Sequence, residues 1–196
     1  MTKKISFFFL SVIVAIQVLS AAADKSKIEI TAKHVDATKN IIKATDNVVV
    51  YYEGSVIKAS SAHFDKTTKV LVLDGEIQML GYEGSKVHTN HIEIHTDTKE
   101  VTFDELFLVS ESDVWIFSKD AHKQDGNYTL GASLISCCDV SDPLWKMAFS
   151  RSLYDSEAHY MKIYGAKVYL WDIPIFYTPY LAFSTNKERS SGLLFP

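Results

Sequence analysis

Proline and cysteine are scarce in this chain of 196 residues, which contains four prolines and two cysteines. The first proline is Pro143, so every residue before it has a backbone N–H to donate. So long a stretch without proline favours regular hydrogen-bonded structure. The cysteines are the adjacent Cys137 and Cys138, and neither can pair with a third cysteine of this chain.

Motifs of catalysis and of nucleic-acid binding are also missing. The sequence has no nucleophile elbow, phosphate loop or H-E-x-x-H pattern, no basic stripe and no zinc-finger spacing. His88, His91 and His95 would span roughly 23 Å on an extended strand, so we expect them at the surface and not around a metal. We therefore expect no enzymatic activity, no cofactor, no metal and no nucleic-acid partner.

The N-terminal stretch "MTKKISFFFLSVIVAIQVLSAAADK" has the pattern of a secretory signal peptide. Two lysines precede an apolar run, and small residues in an A-x-A arrangement follow it. The run is shorter than the ~20 apolar residues of a spanning helix, which disfavours the alternative of a retained membrane anchor. We predict a signal peptide over residues 1–23.

An internal repeat organises the first half of the chain. The segment "YYEGSVIKASSAHFD" begins at Tyr51, and "GYEGSKVHTNHIEIH" begins 30 residues later at Gly81. Small residues recur at spacings of 27, 30 and 29, namely Ala32, Ala59, Thr89 and Ser118. Periods of this size predict a stacked supersecondary unit.

Each repeat is predicted to consist of strands, because short runs alternate between apolar and polar residues and turn signals such as "DKTTK" and "TDTKE" separate them. One apolar face per strand indicates an all-β fold with two facing sheets. The inward rows would form either a filled core or, if the sheets splay into an open V, an apolar trough. We predict that twelve residues point inward: Ile30, Ala32, Val48, Val50, Ile57, Ala59, Val70, Val72, Ile92, Ile94, Val114 and Ile116.

Cys137 and Cys138 are unusual neighbours in a secreted chain. Adjacent α-carbons lie ~3.8 Å apart, below the ~4.4 to 6.8 Å that a disulfide normally spans. We expect partners on another chain or on a continuation of this one; a vicinal disulfide and a buried thiol are the alternatives. Aromatic residues concentrate after these cysteines, which suits a membrane interface or a protein interface.

The C-terminal sequence "LWDIPIFYTPYLAFSTNKERSSGLLFP" resembles the segment that links the periplasmic domain of the LptD (OstA/Imp) family to its outer-membrane barrel. The matching elements are Pro174 to Tyr180, Arg189, and Ser191 to Pro196. The stretch "SLISCCDVSDPLWKM" resembles the cysteine-containing segment of that family, although a second cysteine site near the mature N-terminus is absent here. The repeats from Ile28 to about Asn127 resemble the OstA/LptA-type β-jelly-roll.

The resemblance implies an organisation truncated before a transmembrane barrel. A periplasmic β-roll over residues 24–136 would precede a cysteine-containing, aromatic-rich segment over 137–196, and the cysteines would bridge to the barrel. The implied function is lipopolysaccharide transport at the outer membrane. Implied partners are lipopolysaccharide, an LptA-like bridge protein on an edge strand, and an LptE-like lipoprotein that binds the barrel. A soluble LptA-like shuttle and a structural secreted β-solenoid remain as alternatives.

Overall fold

The computed structural model describes residues 28–80, 85–110 and 113–184, which form sixteen strands and no helix. The predicted signal peptide and the motif from Arg189 to Pro196 lie outside the described residues. The strands are β1 (Glu29–Thr31), β2 (His34–Ala37), β3 (Ile41–Tyr52), β4 (Ser55–Asp65), β5 (Val70–Leu80), β6 (Lys86–His95), β7 (Glu100–Phe103), β8 (Leu106–Val109), β9 (Trp115–Ser118), β10 (Ala121–Gln124), β11 (Asn127–Leu130), β12 (Ser133–Ser136), β13 (Trp145–Phe149), β14 (Arg151–Asp155), β15 (Tyr160–Leu170) and β16 (Ile173–Ser184).

All strands belong to one antiparallel sheet that bends along its middle into two layers. Six long strands, β3 to β6, β15 and β16, run through both layers. The shorter strands are halves divided at the bend: β1, β8, β9, β12 and β13 lie in layer A, and β2, β7, β10, β11 and β14 lie in layer B. The predicted all-β class is confirmed, and the large antiparallel sheet is consistent with a β-jelly-roll.

The bend recurs with the repeat that the sequence contains. Register shifts interrupt β3 at Asp46 and Asn47 and β5 at Gly75 and Glu76, and the same break separates β7 from β8 at residues 104–105. These sites follow one another every 29 residues. Gly75 has a φ of 99°, and a Cβ there would collide with the Ser60 hydroxyl, so the bend of β5 requires glycine.

Small residues of the predicted repeat line the inner side of this bend. Ala59, Thr89 and Ser118 are all buried, each close to the point where its strand passes from one layer to the other. At the bend a large buried residue pairs with a small one, Val48 with Ala59 and Ile77 with Thr89. The spacing of small residues thus reports the position of the bend.

The sheet does not end at residue 136, where the sequence placed the end of the β-roll. β12 pairs with β13 through Leu134 and Ala148, and β13 pairs with β15 in turn. The described part of the aromatic-rich segment, up to Ser184, therefore continues both layers through β13 to β16.

Candidate functional site between the two layers

The space between the layers is the candidate site, and half of the predicted trough residues lie deep inside it. They share an exposure of at most 7%, and both layers contribute: Val48, Val50, Ile57, Ala59, Ile92 and Ile94. Together with other inward residues they form a single buried cluster. The interior is therefore filled in this structure, and a ligand would have to part the layers to enter it.

The inward face predicted for β5 is wrong. Leu71, Leu73 and Ile77 are fully buried, whereas Val70 and Val72 are half-buried on the opposite face of the strand. The run "VLVL" is apolar on both faces, so alternation alone could not assign its phase.

The remaining predicted residues lie at the margin of the interior. Ile30 and Ala32, at the N-terminal edge, are half-buried and pack against the cluster, as does Ile116 of β9. Val114 is half-buried and lies just before β9, outside the cluster. Contact between any of these residues and lipid stays a prediction.

Serines replace aliphatic residues in the interior from β9 onward, which the sequence reasoning missed. Ser118, Ser133 and Ser152 are each at most 4% exposed on the inner face, whereas Ser136, which pairs with Trp115, is buried on the opposite face of β12 from Ser133. The Ser118 hydroxyl donates to the carbonyl of Asp120 at 2.6 Å, and the Ser133 hydroxyl lies 2.9 Å from the Ser118 oxygen. Ser118 had been recognised only as a small residue of the repeat, and serine is common in turns, so composition gave no signal for buried positions.

Two buried hydroxyls have no hydrogen-bond partner among the described residues, those of Tyr52 and Ser152. Tyr52 is the last inward residue of β3 and is 5% exposed. Burial, with a smaller contribution from the Glu53 carboxylate, raises the pKa of Tyr52 from 10.0 to about 12. Its phenol therefore remains protonated and able to donate.

Cys137 and Cys138 follow β12 at the outer end of layer A, and both are free thiols. Cys137 is exposed, while Cys138 is half-buried. The backbone around Cys138 is fixed, because its N–H donates to the Ser136 hydroxyl at 3.0 Å and its carbonyl accepts from the Trp115 indole at 2.7 Å. The exposed thiol of Cys137 thus projects from an anchored segment, and its disulfide partner stays a prediction.

The last strand exposes apolar side chains on both of its faces. Ile175, Phe176 and Tyr177 are consecutive, yet their exposures are 60%, 58% and 59%. Trp171, in the turn before β16, is 69% exposed. Lys146 forms an ion pair with Asp172 of that turn, which holds the turn against β13. Such a surface is apolar where folding alone would allow polar residues.

Two of the three histidines singled out from the sequence, His91 and His95, pair with carboxylates. His91 Nδ1 lies 2.7 Å from Asp74 Oδ1, and His95 Nε2 lies 2.9 Å from Glu93 Oε1. Across the part of the chain that the structure describes, no three His, Cys, Asp or Glu side chains are placed to hold a metal ion. In the same ranges, no helix is long and apolar enough to cross a membrane.

No protein-family model matches the chain. Curated proteins called LPS-assembly protein LptD are nevertheless similar to it. The protein from Photobacterium profundum is 24% identical over 94% of this chain and 24% of its own length, and the protein from Vibrio cholerae serotype O1 is 27% identical over 76% and 19%. The protein from Acinetobacter baumannii is 25% identical over 76% of this chain and 19% of its own length.

These matches confirm the resemblance to LptD proteins that the C-terminal motif and the repeats indicated. The chain spans about a quarter or less of the length of these relatives.

Proposed function

We propose that this chain serves lipopolysaccharide assembly at the outer membrane, as the periplasmic β-jelly-roll of an LptD-like protein. The observation that carries the proposal is the apolar interior shared by two bent layers, in a chain whose relatives are LPS-assembly proteins. Lipopolysaccharide assembly requires a path that shields acyl chains from water, and it requires no catalytic residue.

The interior supplies the driving force for binding acyl chains. Each methylene removed from water contributes about 0.8 kcal/mol, so several acyl chains would gain enough to offset the cost of separating the layers. At the bend the layers converge, and the buried Val48 and Ile77 pair there with Ala59 and Thr89, so that side of the interior is closed. Acyl chains would therefore enter from the outer ends of the layers.

The N-terminal edge is the proposed point of entry. β1 and β2 each pair with β3 and stand at one end of the sheet order. An unpaired strand edge can add a strand from another chain, and a bridge protein with the same fold offers a matching edge. The two interiors would then be continuous.

The C-terminal edge is the proposed exit. β16 closes the sheet order at the opposite end, next to the apolar turn at Trp171. There the lipid would pass to an outer-membrane barrel, with which an LptE-like lipoprotein would associate. A disulfide from Cys137 or Cys138 to the barrel would hold the exit against a lateral opening.

Photo-crosslinking in cells would test lipid passage. A crosslinking amino acid at Ile57 or Ile92, which are at most 2% exposed, should capture lipopolysaccharide. The matched controls are Lys58 and Glu93, each next along the strand and on the outer face. Equal capture at inner and outer positions, or capture at the outer positions alone, would contradict passage through the interior.

A further inference from the structure

An ion-pair cluster joins the two layers across the mouth of the interior. Glu53 lies in the β3–β4 turn, at the outer end of layer A, and its carboxylate oxygens lie 3.4 Å from Lys99 Nζ and 3.8 Å from Lys123 Nζ. Lys99 precedes β7, and Lys123 belongs to β10, so both lie at the outer end of layer B. We name Glu53, Lys99 and Lys123 the mouth cluster.

The mouth cluster faces the interior. Lys123 is paired in register with the buried Val101, so it projects from the inner face of layer B. Its ammonium also lies 5.7 Å from the ring centroid of Tyr128, which is opposite it on β11. The turn that carries Glu53 is a tight hairpin turn, because Glu53 and Gly54 both have positive φ, and it places Glu53 directly after β3 at the mouth.

The charges in the mouth cluster are not balanced. One carboxylate faces two ammonium groups, which leaves an excess positive charge. Both contacts are long, and the lysine side chains are 55% and 31% exposed, so each pair is weak and can exchange its anion. A phosphate dianion would balance both lysines where Glu53 balances one.

Tyr52 adds an independent sign that a ligand belongs here. Its hydroxyl is buried without a partner among the described residues, next in sequence to Glu53 and on the inner face of β3. Leaving such a hydroxyl unpaired is unfavourable, so an acceptor that enters the site would relieve that cost.

We propose that the mouth cluster and Tyr52 form a binding site for the phosphate headgroup of an acylated lipid. The phosphate displaces the Glu53 carboxylate from Lys99 and Lys123 and accepts a hydrogen bond from Tyr52. The phosphate then takes the place of the Glu53 carboxylate at the mouth, while the acyl chains lie between the layers. This inference rests on the proposed function, because it assigns a headgroup site to the same interior.

Calorimetric titration of the full 196-residue chain would test the site with three probes below their micellar concentrations. Decyl phosphate carries both features of the ligand, decyl maltoside carries the chain without the charge, and inorganic phosphate carries the charge without the chain. The chain should bind decyl phosphate more tightly than either of the other two.

Substitutions separate the roles of the residues. Glu53→Gln should tighten decyl phosphate binding up to about fivefold, because the competing carboxylate is gone. Lys99→Gln combined with Lys123→Gln should weaken it about tenfold, and Tyr52→Phe should weaken it less. None of these changes should alter decyl maltoside binding more than twofold. Glu157→Gln is the control for Glu53→Gln, and Lys162→Gln combined with Lys167→Gln is the control for the double lysine variant; each control makes the same charge change at exposed positions. Urea unfolding verifies that every variant folds.

The outcomes distinguish the site from the function. Equal binding of decyl phosphate and decyl maltoside would overturn the phosphate site and leave the lipid interior standing. Failure of both amphiphiles to bind would overturn the proposed function as well. Inorganic phosphate binding as tightly as decyl phosphate would show a free-anion site and overturn the lipid assignment, as would a Glu53→Gln variant that behaves like Glu157→Gln.

Discussion

The N-terminal and C-terminal parts of the interior use the same bent strands but different side chains. From β3 to β6 the buried positions are almost all aliphatic, including Leu71, Leu73 and Ile92 at 0% exposure. From β9 onward four serines are buried, three of them in the interior, and the last strand turns apolar residues outward. The difference indicates that the N-terminal part supplies most of the hydrophobic stability, while the C-terminal part retains groups that stability alone does not explain.

The largest expected effect concerns the aliphatic part. Leu73→Ala should lower the free energy of unfolding by about 2–5 kcal/mol, because it removes a fully buried side chain and leaves a cavity. Val72→Ala, one position away on the outer face, should cost about 1 kcal/mol or less. Urea unfolding of both variants measures the difference, and equal losses would contradict the observed phase of β5.

The serines of the C-terminal part should respond unequally to loss of their hydroxyls. Ser136 donates to the Trp145 carbonyl at 2.6 Å and accepts from the Cys138 N–H, so Ser136→Ala should destabilise the chain by about 1–3 kcal/mol. Ser152→Ala removes a buried hydroxyl that has no partner among the described residues and should cost nothing or stabilise.

Thermal unfolding would compare these two variants. Matching losses would mean that the two serines have equivalent surroundings, contrary to the hydrogen bonds described.

Alkaline pH should act on the N-terminal part through Tyr52. Its pKa is raised in the folded chain from 10.0 to about 12, so the unfolded chain loses the phenolic proton first. The stabilising contribution is complete below pH 10.0, falls as the pH rises between those two values, and is lost above the folded pKa.

Unfolding free energies measured from pH 9 to 12 should therefore decline less in Tyr52→Phe than in the natural chain. An identical decline in both would place the titrating groups elsewhere.

The smallest effect on stability is expected at the exposed end of β16. Phe176→Ser should change the free energy of unfolding by no more than about 0.5 kcal/mol, because its side chain is 58% exposed. Binding of the chain to phospholipid vesicles, measured by flotation, should fall in the same variant. A large loss of stability with unchanged flotation would mean that Phe176 stabilises the fold and does not contribute to vesicle binding.

Alternation along the sequence identified interior residues wherever polar residues occupied the other face. Ile57 and Ala59 flank Lys58, and Ile92 and Ile94 flank Glu93, so each strand had one assignable phase. At Val70 to Leu73 both faces are apolar, and the choice depended on contacts with β4 and β6 that only the folded sheet provides.

Other parts of the site depended on distant pairing. The contact of Glu53 with Lys123 crosses 70 positions of sequence and two layers, and no local pattern predicts it. Ser136 can be buried because its hydroxyl forms hydrogen bonds with backbone groups of two neighbouring segments. Many polar residues near loops could form such bonds, so no sequence pattern distinguishes Ser136 from them. The repeat of small residues was the exception, since its spacing already marked the bend.

The order of the sheet has a consequence for how the chain folds. When the half-strands are joined across the bend, every strand pairs with the one that precedes or follows it in sequence. Such local topology keeps the entropy of loop closure low at each step, so a hairpin can form as soon as its two strands are available. Each new hairpin is then templated on the open edge left by the previous one. The chain can assemble progressively from one end, without waiting for its two termini to meet.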